Sequence, residues 1–406
     1  MKQVRKLIGF AFIFSMLFAA CRKDGRLVPE TDNLSEETET GEIAARGSHG
    51  YQHENGPGHV YTLSNQTDGN KVLVYRRAAN GTLSWKASYF TGGNGSGGGL
   101  GNQGALVTGS FDNDHYGHRG DDKKNILLAV NAGSNSISLF AINDYGLRLR
   151  STVGSGGTTP VSITQHDRLV YVLNAGGNGN ISGFWLGHGG RLYPIPHSTR
   201  PLSSNSAGAA QIQFVNNGKV LAITEKATNK IVTYTINNWG RPGVMHSLTS
   251  ANTTPFGFDA GRHGNIIVSE AAGGAAGAST LSSYRIDNDG NISLIDGPEG
   301  ANQSAACWVV INKNGKFAYT TNTASNNIST FAVENPSGNI SVHEAIAATT
   351  PAGPIDAALS RNSKFLYVLN SGGNSISAFA AGGNGSLSPV QTVGGLPMGA
   401  NGLAAE

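Results

Sequence analysis

The phrase "YVLNAGGNGNISGFWL" at residues 171–186 returns almost unchanged as "YVLNSGGNSISAFAA" at residues 367–381. In both copies an apolar run with β-branched and aromatic residues ends in asparagine, followed by small turn residues and a second apolar run. This arrangement is typical of two antiparallel strands joined by a tight turn. The repeated phrase therefore predicts a β-hairpin that the chain uses more than once.

Five further copies, one of them strongly diverged, begin at His59, Leu127, Leu221, Ile266 and Ala318. In six of the seven copies the turn opens at Asn131, Asn174, Glu225, Glu270, Asn322 or Asn370, with spacings of 43, 51, 45, 52 and 48 residues. Most copies follow a short strand of small residues and precede a hairpin turn with an outer strand. Four strands in each of seven such repeats predict an all-β fold, a seven-bladed β-propeller.

The chain ends predict how the ring closes. The C-terminal "GANGLAAE" at residues 399–406 reads as the opening strand of an eighth repeat, while the first repeat begins at residue 56 with no opening strand. Joined in one blade, the two parts pair edges that would otherwise stay exposed. We therefore expect the C-terminal strand to be innermost in blade one.

Glycine is abundant, with 57 residues in 406, and only 14% of the residues are charged. Glycine supplies the positive φ angles of tight turns and weakens helix interiors, which favours short strands. The formal charge of +3 falls to zero once a leader containing Lys2, Arg5 and Lys6 is removed. A neutral chain without a basic stripe gives no support for nucleic-acid binding. We expect a monomer without a cofactor.

The first twenty residues combine a cationic start with a short apolar stretch, which is typical of a signal peptide. They end in Ala19-Ala20 and are followed by Cys21, which resembles a bacterial lipobox with Phe18 where leucine is more usual. This predicts lipid attachment at Cys21; ordinary secretion with cleavage before a chance cysteine is the alternative. Arg22 then favours the outer membrane of a Gram-negative envelope. Residues 21–55 are too polar for a core and predict a disordered tether to a propeller at residues 56–406.

Two motifs resemble ligand-binding sequences, but we predict no ligand for either. "GLGNQG" at residues 99–104 has the spacing of a dinucleotide-binding loop but precedes a strand, so it is interpreted as a loop between blades. The insertion "DNDHYGHRGDD" at residues 112–122 offers His115, His118 and four aspartates but lacks the spacing of a calcium loop. We interpret it as a protruding hairpin and predict no metal site.

The YVxNxGxNxIS phrase in seven blades resembles the β-propeller lactonase family, which includes 6-phosphogluconolactonase and carboxymuconate-cyclising enzymes. The resemblance covers the chain from about residue 57 to its end; it is specific for fold and weakly specific for activity. It implies acid–base chemistry at one mouth of the central channel. Of the family's Pro-Arg-His run and following glutamate, this chain has Pro255-Phe256-Gly257 and Glu270. The family's histidine and its last arginine fall near Gln211 and Asp356.

The candidate site residues follow from these positions. Glu270, Arg200 and Asp356 are the candidates for catalysis, and Gln103, Gln211, Phe256, Glu225 and Gln303 are the candidates for ligand binding. Each also has a plain structural interpretation: solvated turn carboxylates, a loop arginine, and polar groups that hold channel water.

Two functions remain open. A binding or scaffold protein would hold a small molecule, a glycan or a protein on one face of the ring. Alternatively, a divergent lactone hydrolase or muconate-type cyclase would use Glu270 as its acid or base. Since the family's histidine and arginine are replaced, the oxyanion of a lactone reaction would have no cationic partner. The first function is favoured, and whether the chain is an enzyme stays open.

Overall fold

The computed structural model describes residues 56–112, 123–261 and 263–406. These form seven antiparallel sheets, and the innermost strand of each sheet contacts those of both neighbours, so the sheets close into a ring. The predicted all-β, seven-bladed propeller is confirmed. The signal peptide, the lipidation site Cys21, the tether and nearly all of the charged insertion lie outside the described residues.

Blades are numbered along the chain, and strands are given from the channel outward. Blade one consists of Asn401–Ala405, Gly58–Leu63, Lys71–Arg77 and Leu83–Phe90. Blade two consists of Leu106–Asp112, Lys123–Asn131, Ser136–Asn143 and Gly146–Gly154. Blade three consists of Thr158–His166, Leu169–Gly176, Asn180–Leu186 and Leu192–Pro194, and the short strand Arg200–Pro201 also pairs with Asn180–Leu186. Blade four consists of Ala209–Val215, Val220–Glu225, Lys230–Ile236 and Pro242–Thr249.

The remaining blades repeat the same order. Blade five consists of Pro255–Ala260, Asn265–Glu270, Thr280–Ile286 and Ile292–Gly300. Blade six consists of Ala306–Ile311, Phe317–Asn322, Asn327–Val333 and Ile340–Thr349. Blade seven consists of Pro354–Leu359, Phe365–Asn370, Ser375–Ala381 and Leu387–Val393. In the described residues, helical structure is limited to 3₁₀ turns at Ala132–Ser134 and Ala272–Gly274, and no helix is long and apolar enough to span a membrane.

The ring closes as the sequence predicts. Asn401–Ala405 runs antiparallel to Gly58–Leu63, with a bulge between Thr62 and Leu63. Beyond the ladder, the Glu406 amide donates to the His59 carbonyl at 2.9 Å, and the Tyr61 hydroxyl donates to Glu406 Oε2 at 2.9 Å. The two ends of the propeller are therefore joined by backbone and side chains in one blade.

The repeated asparagine locks its own hairpin. Asn131 Nδ2 donates to Ser138 Oγ at 2.8 Å, and Asn370 Nδ2 donates to Ser377 Oγ at 2.9 Å. In each case the asparagine ends the second strand and the serine lies in the third, so one buried bond ties them across the turn. The asparagine and serines of the repeated phrase therefore have a structural role in the hairpin.

The connections between the strands lie on two faces of the ring. The upper face carries the turns between second and third strands and the crossings from each outer strand to the next blade. The lower face carries the turns between innermost and second strands and between third and outer strands. The chain joins blade one on the lower face, where the Gly56 carbonyl accepts a hydrogen bond from Arg77 Nη2 at 2.9 Å.

Candidate functional site

Residues 91–105, here called the channel segment, cross the upper mouth of the channel. The segment links blade one to blade two, yet it contacts the far side of the ring. Trp308 Nε1 in blade six donates to the Asn102 carbonyl at 3.0 Å, and Lys226 Nζ in blade four donates to the Gly101 carbonyl at 2.6 Å. On the near side, the amide of Ile163 donates to the Gly104 carbonyl at 2.8 Å. The chain itself therefore spans the upper mouth of the channel.

Gln103 pins this segment to blade six. Its Nε2 donates to the Val309 carbonyl at 2.9 Å, and its Oε1 accepts from the Val309 amide at 3.2 Å. Gly257 in blade five makes this possible, because a Cβ at that position would overlap Gln103 Oε1. The side-chain amide of Gln103, predicted to bind a ligand, is thus hydrogen-bonded to the backbone of an inner strand.

Gln211 makes the same bidentate contact between blades four and five. Its Nε2 donates to the Phe258 carbonyl at 2.8 Å, and its Oε1 accepts from the Phe258 amide at 2.7 Å. Gln303 lies in a crossing on the upper face, where its Oε1 accepts from Asn327 Nδ2 at 2.6 Å. Partners within the protein therefore engage all three predicted binding glutamines.

Phe256 lies beneath the channel segment, half-buried. Its ring centroid is 5.2 Å from that of Trp308, and Lys226 Nζ lies 4.6 Å from its centre. Lys226 and Trp308 both donate hydrogen bonds to the channel segment. Phe256, which packs against both of them, therefore helps to hold the segment in place.

Glu270 is fully buried at the end of the second strand of blade five. Its Oε1 accepts from the hydroxyls of Ser250 at 2.6 Å and Tyr284 at 2.8 Å. Its Oε2 accepts from the hydroxyls of Thr280 and Ser282, both at 2.7 Å. Burial and then the Glu270 carboxylate raise the pKa of Tyr284 to about 12, which keeps that donor protonated. The carboxylate thus fixes its own hairpin and the crossing from blade four, and its acceptor sites are occupied.

Glu225 is the equivalent residue of blade four and is also fully buried. It accepts from the amide of Ser203 at 2.8 Å, from the hydroxyl of Ser203, and from the hydroxyl of Thr228 at 2.6 Å. Ser203 lies in the crossing from blade three. In consecutive blades, Glu225 and Glu270 therefore both bind the crossing from the preceding blade through hydrogen bonds.

Arg200 lies at the outer edge between blades three and four. Its guanidinium donates to the carbonyls of His197 at 3.0 Å, Thr199 at 2.9 Å and Pro242 at 2.6 Å. The structure thus places Glu270, Arg200 and Asp356 at three different blade boundaries and does not bring them together.

Asp356 occupies the position in blade seven that Gln211 holds in blade four. It is buried, its Oδ1 accepts from the Ala357 amide at 2.8 Å, and its Oδ2 has no hydrogen bond of normal geometry. Burial raises the pKa of this carboxyl well above its ordinary value, while the amides of Ala357 and Leu403 lower it. Leu403 belongs to the closing strand, so Asp356 contacts the seam of the ring.

Asp356→Asn is expected to stabilise the ring increasingly as pH rises. A carboxyl whose folded pKa is raised contributes most to stability below its unfolded pKa, and that contribution is lost as pH rises toward the folded pKa. The melting temperature of the variant relative to wild type should therefore climb by a few degrees between about pH 4 and pH 8.

Asp287→Asn is the matched control on an exposed turn. Hydrogen bonds from Asn291 lower the pKa of Asp287, so its contribution is lost as pH falls, and the pH trend of this variant should have the opposite sign. Thermal unfolding across the pH range tests both, and a pH-independent difference for Asp356→Asn would refute this account of the buried carboxyl.

The channel segment is the feature that sequence reasoning missed. The sequence predicts its Gly-rich run as a loop between blades, and the structure adds that this loop holds Asn102, a fully buried residue whose side-chain oxygen and nitrogen both lack protein partners. The available signal was length, since the crossings after blades two and five are much shorter. Among the described residues, no three histidine, cysteine, aspartate or glutamate side chains are grouped so as to hold a metal.

Comparison with known proteins gives a family match over part of the chain and supports the fold. Residues 278–400 match the family described as "Lactonase, 7-bladed beta-propeller". No curated protein matches the chain. A putative 6-phosphogluconolactonase from Bacteroides fragilis is similar in structure, with 16% identity, a TM-score of 0.64, and coverage of 85% of this chain and 97% of that one.

Two further solved structures agree. One from Bacteroides uniformis, also a putative 6-phosphogluconolactonase, has 17% identity, a TM-score of 0.63, and coverage of 85% and 99%. The periplasmic gluconolactonase of Pseudomonas aeruginosa has 14% identity, a TM-score of 0.63, and coverage of 85% and 98%. These likenesses establish the fold, and the match over residues 278–400 gives the family signature. The resemblance predicted from the repeated phrase is confirmed, and the chain is a lactonase-like seven-bladed β-propeller.

Proposed function

We propose that this propeller is a binding or scaffold protein of the cell envelope, anchored by lipid at Cys21. Its ligand, a small polar molecule, a glycan or a protein, binds on the upper face of the ring. The observation that carries the proposal is the closed upper mouth, where Gln103 and the Asn102 carbonyl are held by blade six. A substrate of the channel would have to displace them.

The state of Glu270 supports the same conclusion. A general acid or base must reach the proton that it transfers. Here the carboxylate is fully buried and accepts from four hydroxyls, so it has no free lone pair directed toward the channel mouth. The turns of the upper face are rich in Gly, Asn and Ser, which suits hydrogen bonding to neutral hydroxylated ligands.

The alternative is a divergent lactone hydrolase or cyclase, and it is favoured by the similarity to two putative 6-phosphogluconolactonases and a gluconolactonase. Hydrolysis of gluconolactone and 6-phosphogluconolactone by wild type and by Glu270→Gln separates the two functions. We expect both proteins to match the buffer rate. Turnover by wild type that disappears in folded Glu270→Gln would establish the alternative.

The binding function needs its own measurement. A screen of glycans and metabolites by thermal shift should return a ligand that protects upper-face turns from hydrogen exchange. A screen without any hit together with a pull-down that captures no protein, or protection confined to the lower face, would contradict binding at the upper face.

A further inference from the structure

The lower face of the ring carries a cationic set of turns around the channel. These are the described turns between innermost and second strands, and their charged residues other than histidine are Asp167, Arg168, Lys219, Lys313, Lys316, Arg361 and Lys364. Asp167 is the single acid among them. The turns between third and outer strands on the same face carry Arg191 and Arg241 against Asp144, Asp287, Asp289 and Glu334. The positive charge is therefore concentrated on the inner turns, and since these surround one axis, their charges add to a positive potential around the channel.

A groove of about 650 Å³ opens on the same face between blades six and seven. Lys313 and Lys364 line it together with the amide side chains of Asn312, Asn314 and Asn362. Both lysines are exposed, and the Lys313 amide donates to Ser363 Oγ at 2.9 Å, which fixes one turn against the other. Ammonium and amide donors around an open groove suit a phosphate group.

Large aromatic side chains extend from the rim of this face. Tyr145 is 95% exposed and Trp239 is 74% exposed, and both lie on turns between third and outer strands. Trp85, 57% exposed, begins the outer strand of blade one on the same side. Tyrosine and tryptophan are enriched at membrane interfaces because one end of the ring is apolar and the other is polar.

The chain reaches the propeller at Gly56, also on the lower face. If Cys21 carries lipid, as proposed above, the tether approaches the ring from this side and raises the effective concentration of the membrane there. The charge, the rim aromatics and the point of attachment therefore all lie on one face.

We propose that the lower face docks on an anionic membrane surface. The cationic turns, and the groove between blades six and seven in particular, bind lipid phosphates, while Tyr145 and Trp239 lie at the level of the headgroups. The upper face then points away from the bilayer and stays open to ligands. A soluble polyanion would satisfy the same lysines but leave the aromatics without a role, which is why the membrane is chosen.

The test uses the chain from Arg22 onward, which lacks the lipid anchor. Any vesicle binding then comes from the protein surface and not from the lipid. We expect co-sedimentation with vesicles that contain about one third phosphatidylglycerol and none with pure phosphatidylcholine vesicles. Binding should weaken steadily between about 0.05 and 0.5 M salt. Lys313→Gln with Lys364→Gln should weaken it about tenfold or more, and Trp239→Ser should weaken it without changing its salt dependence.

Lys71→Gln with Lys230→Gln is the matched control, because it removes the same charge from the upper face. It should leave vesicle binding within about twofold of wild type. Equal binding to both vesicle types, equal losses in both double variants, or binding to soluble heparin without binding to vesicles would overturn the proposal. Ligand screens and lipidation at Cys21 play no part in this test, so its failure is distinct from failure of the proposed function.

Discussion

Deleting residues 399–406 should lower the melting temperature by about 10 °C or more. The deletion removes the innermost strand of blade one, including Leu403, a core residue with 5% exposure. It also exposes the backbone edge of Gly58–Leu63, which has Asn401–Ala405 as its partner. Burying one leucine contributes about 2 kcal/mol, and the open edge invites aggregation.

Differential scanning calorimetry measures the change in melting temperature, and two point variants are compared with the deletion. Leu403→Ala should produce part of the loss, since it keeps the ladder and removes a buried side chain. Met398→Ala is the control, because Met398 is 79% exposed just before the closing strand, and should leave the transition unchanged. A deletion variant that melts with wild type would show that the tail does not close the ring.

Replacing Glu270 with leucine should destabilise the ring by about 4 kcal/mol. Leucine has no oxygen, so it leaves the hydroxyls of Ser250, Thr280, Ser282 and Tyr284 without their acceptor. Glu270→Gln keeps one acceptor oxygen and should cost about 1–2 kcal/mol. Urea unfolding gives both values.

Glu334→Leu is the control for the same change at an exposed position on the lower face, and it should shift stability by less than about 0.5 kcal/mol. If Glu270→Leu proves too unstable to purify, Glu270→Gln alone still carries the test. A Glu270→Leu protein as stable as Glu334→Leu would show that the four hydroxyls find other partners.

The sequence predicts the fold well because the fold is repetitive. The position of the turn asparagine recurs with a period that matches one blade, and the unmatched ends of the chain predict the closure at Asn401–Ala405. The first signal comes from residues close together in the chain, where hydrophobic pattern and turn chemistry act directly. The second comes from counting strands, since one end has a strand too many and the other end a strand too few.

The candidate site is harder to predict from the sequence than the fold, because its contacts span the ring. Gln103 and Val309 are 206 positions apart, and no pattern in a single sequence pairs them. The role of Glu270 had a readable clue. Thr280 and Ser282 begin the next strand, as Ser136 and Ser138 do after Asn131, which fits a hairpin lock in which the hydroxyls donate to a carboxylate.

The central claim is that this propeller uses the buried carboxylate of Glu270 to hold its hairpin and the neighbouring blade crossing together. The most direct measurement compares wild type and Glu270→Gln for unfolding free energy and for gluconolactone turnover in the same preparations. The account predicts a less stable variant and two proteins that both match the buffer rate. Unchanged stability together with loss of a measurable wild-type turnover would contradict it.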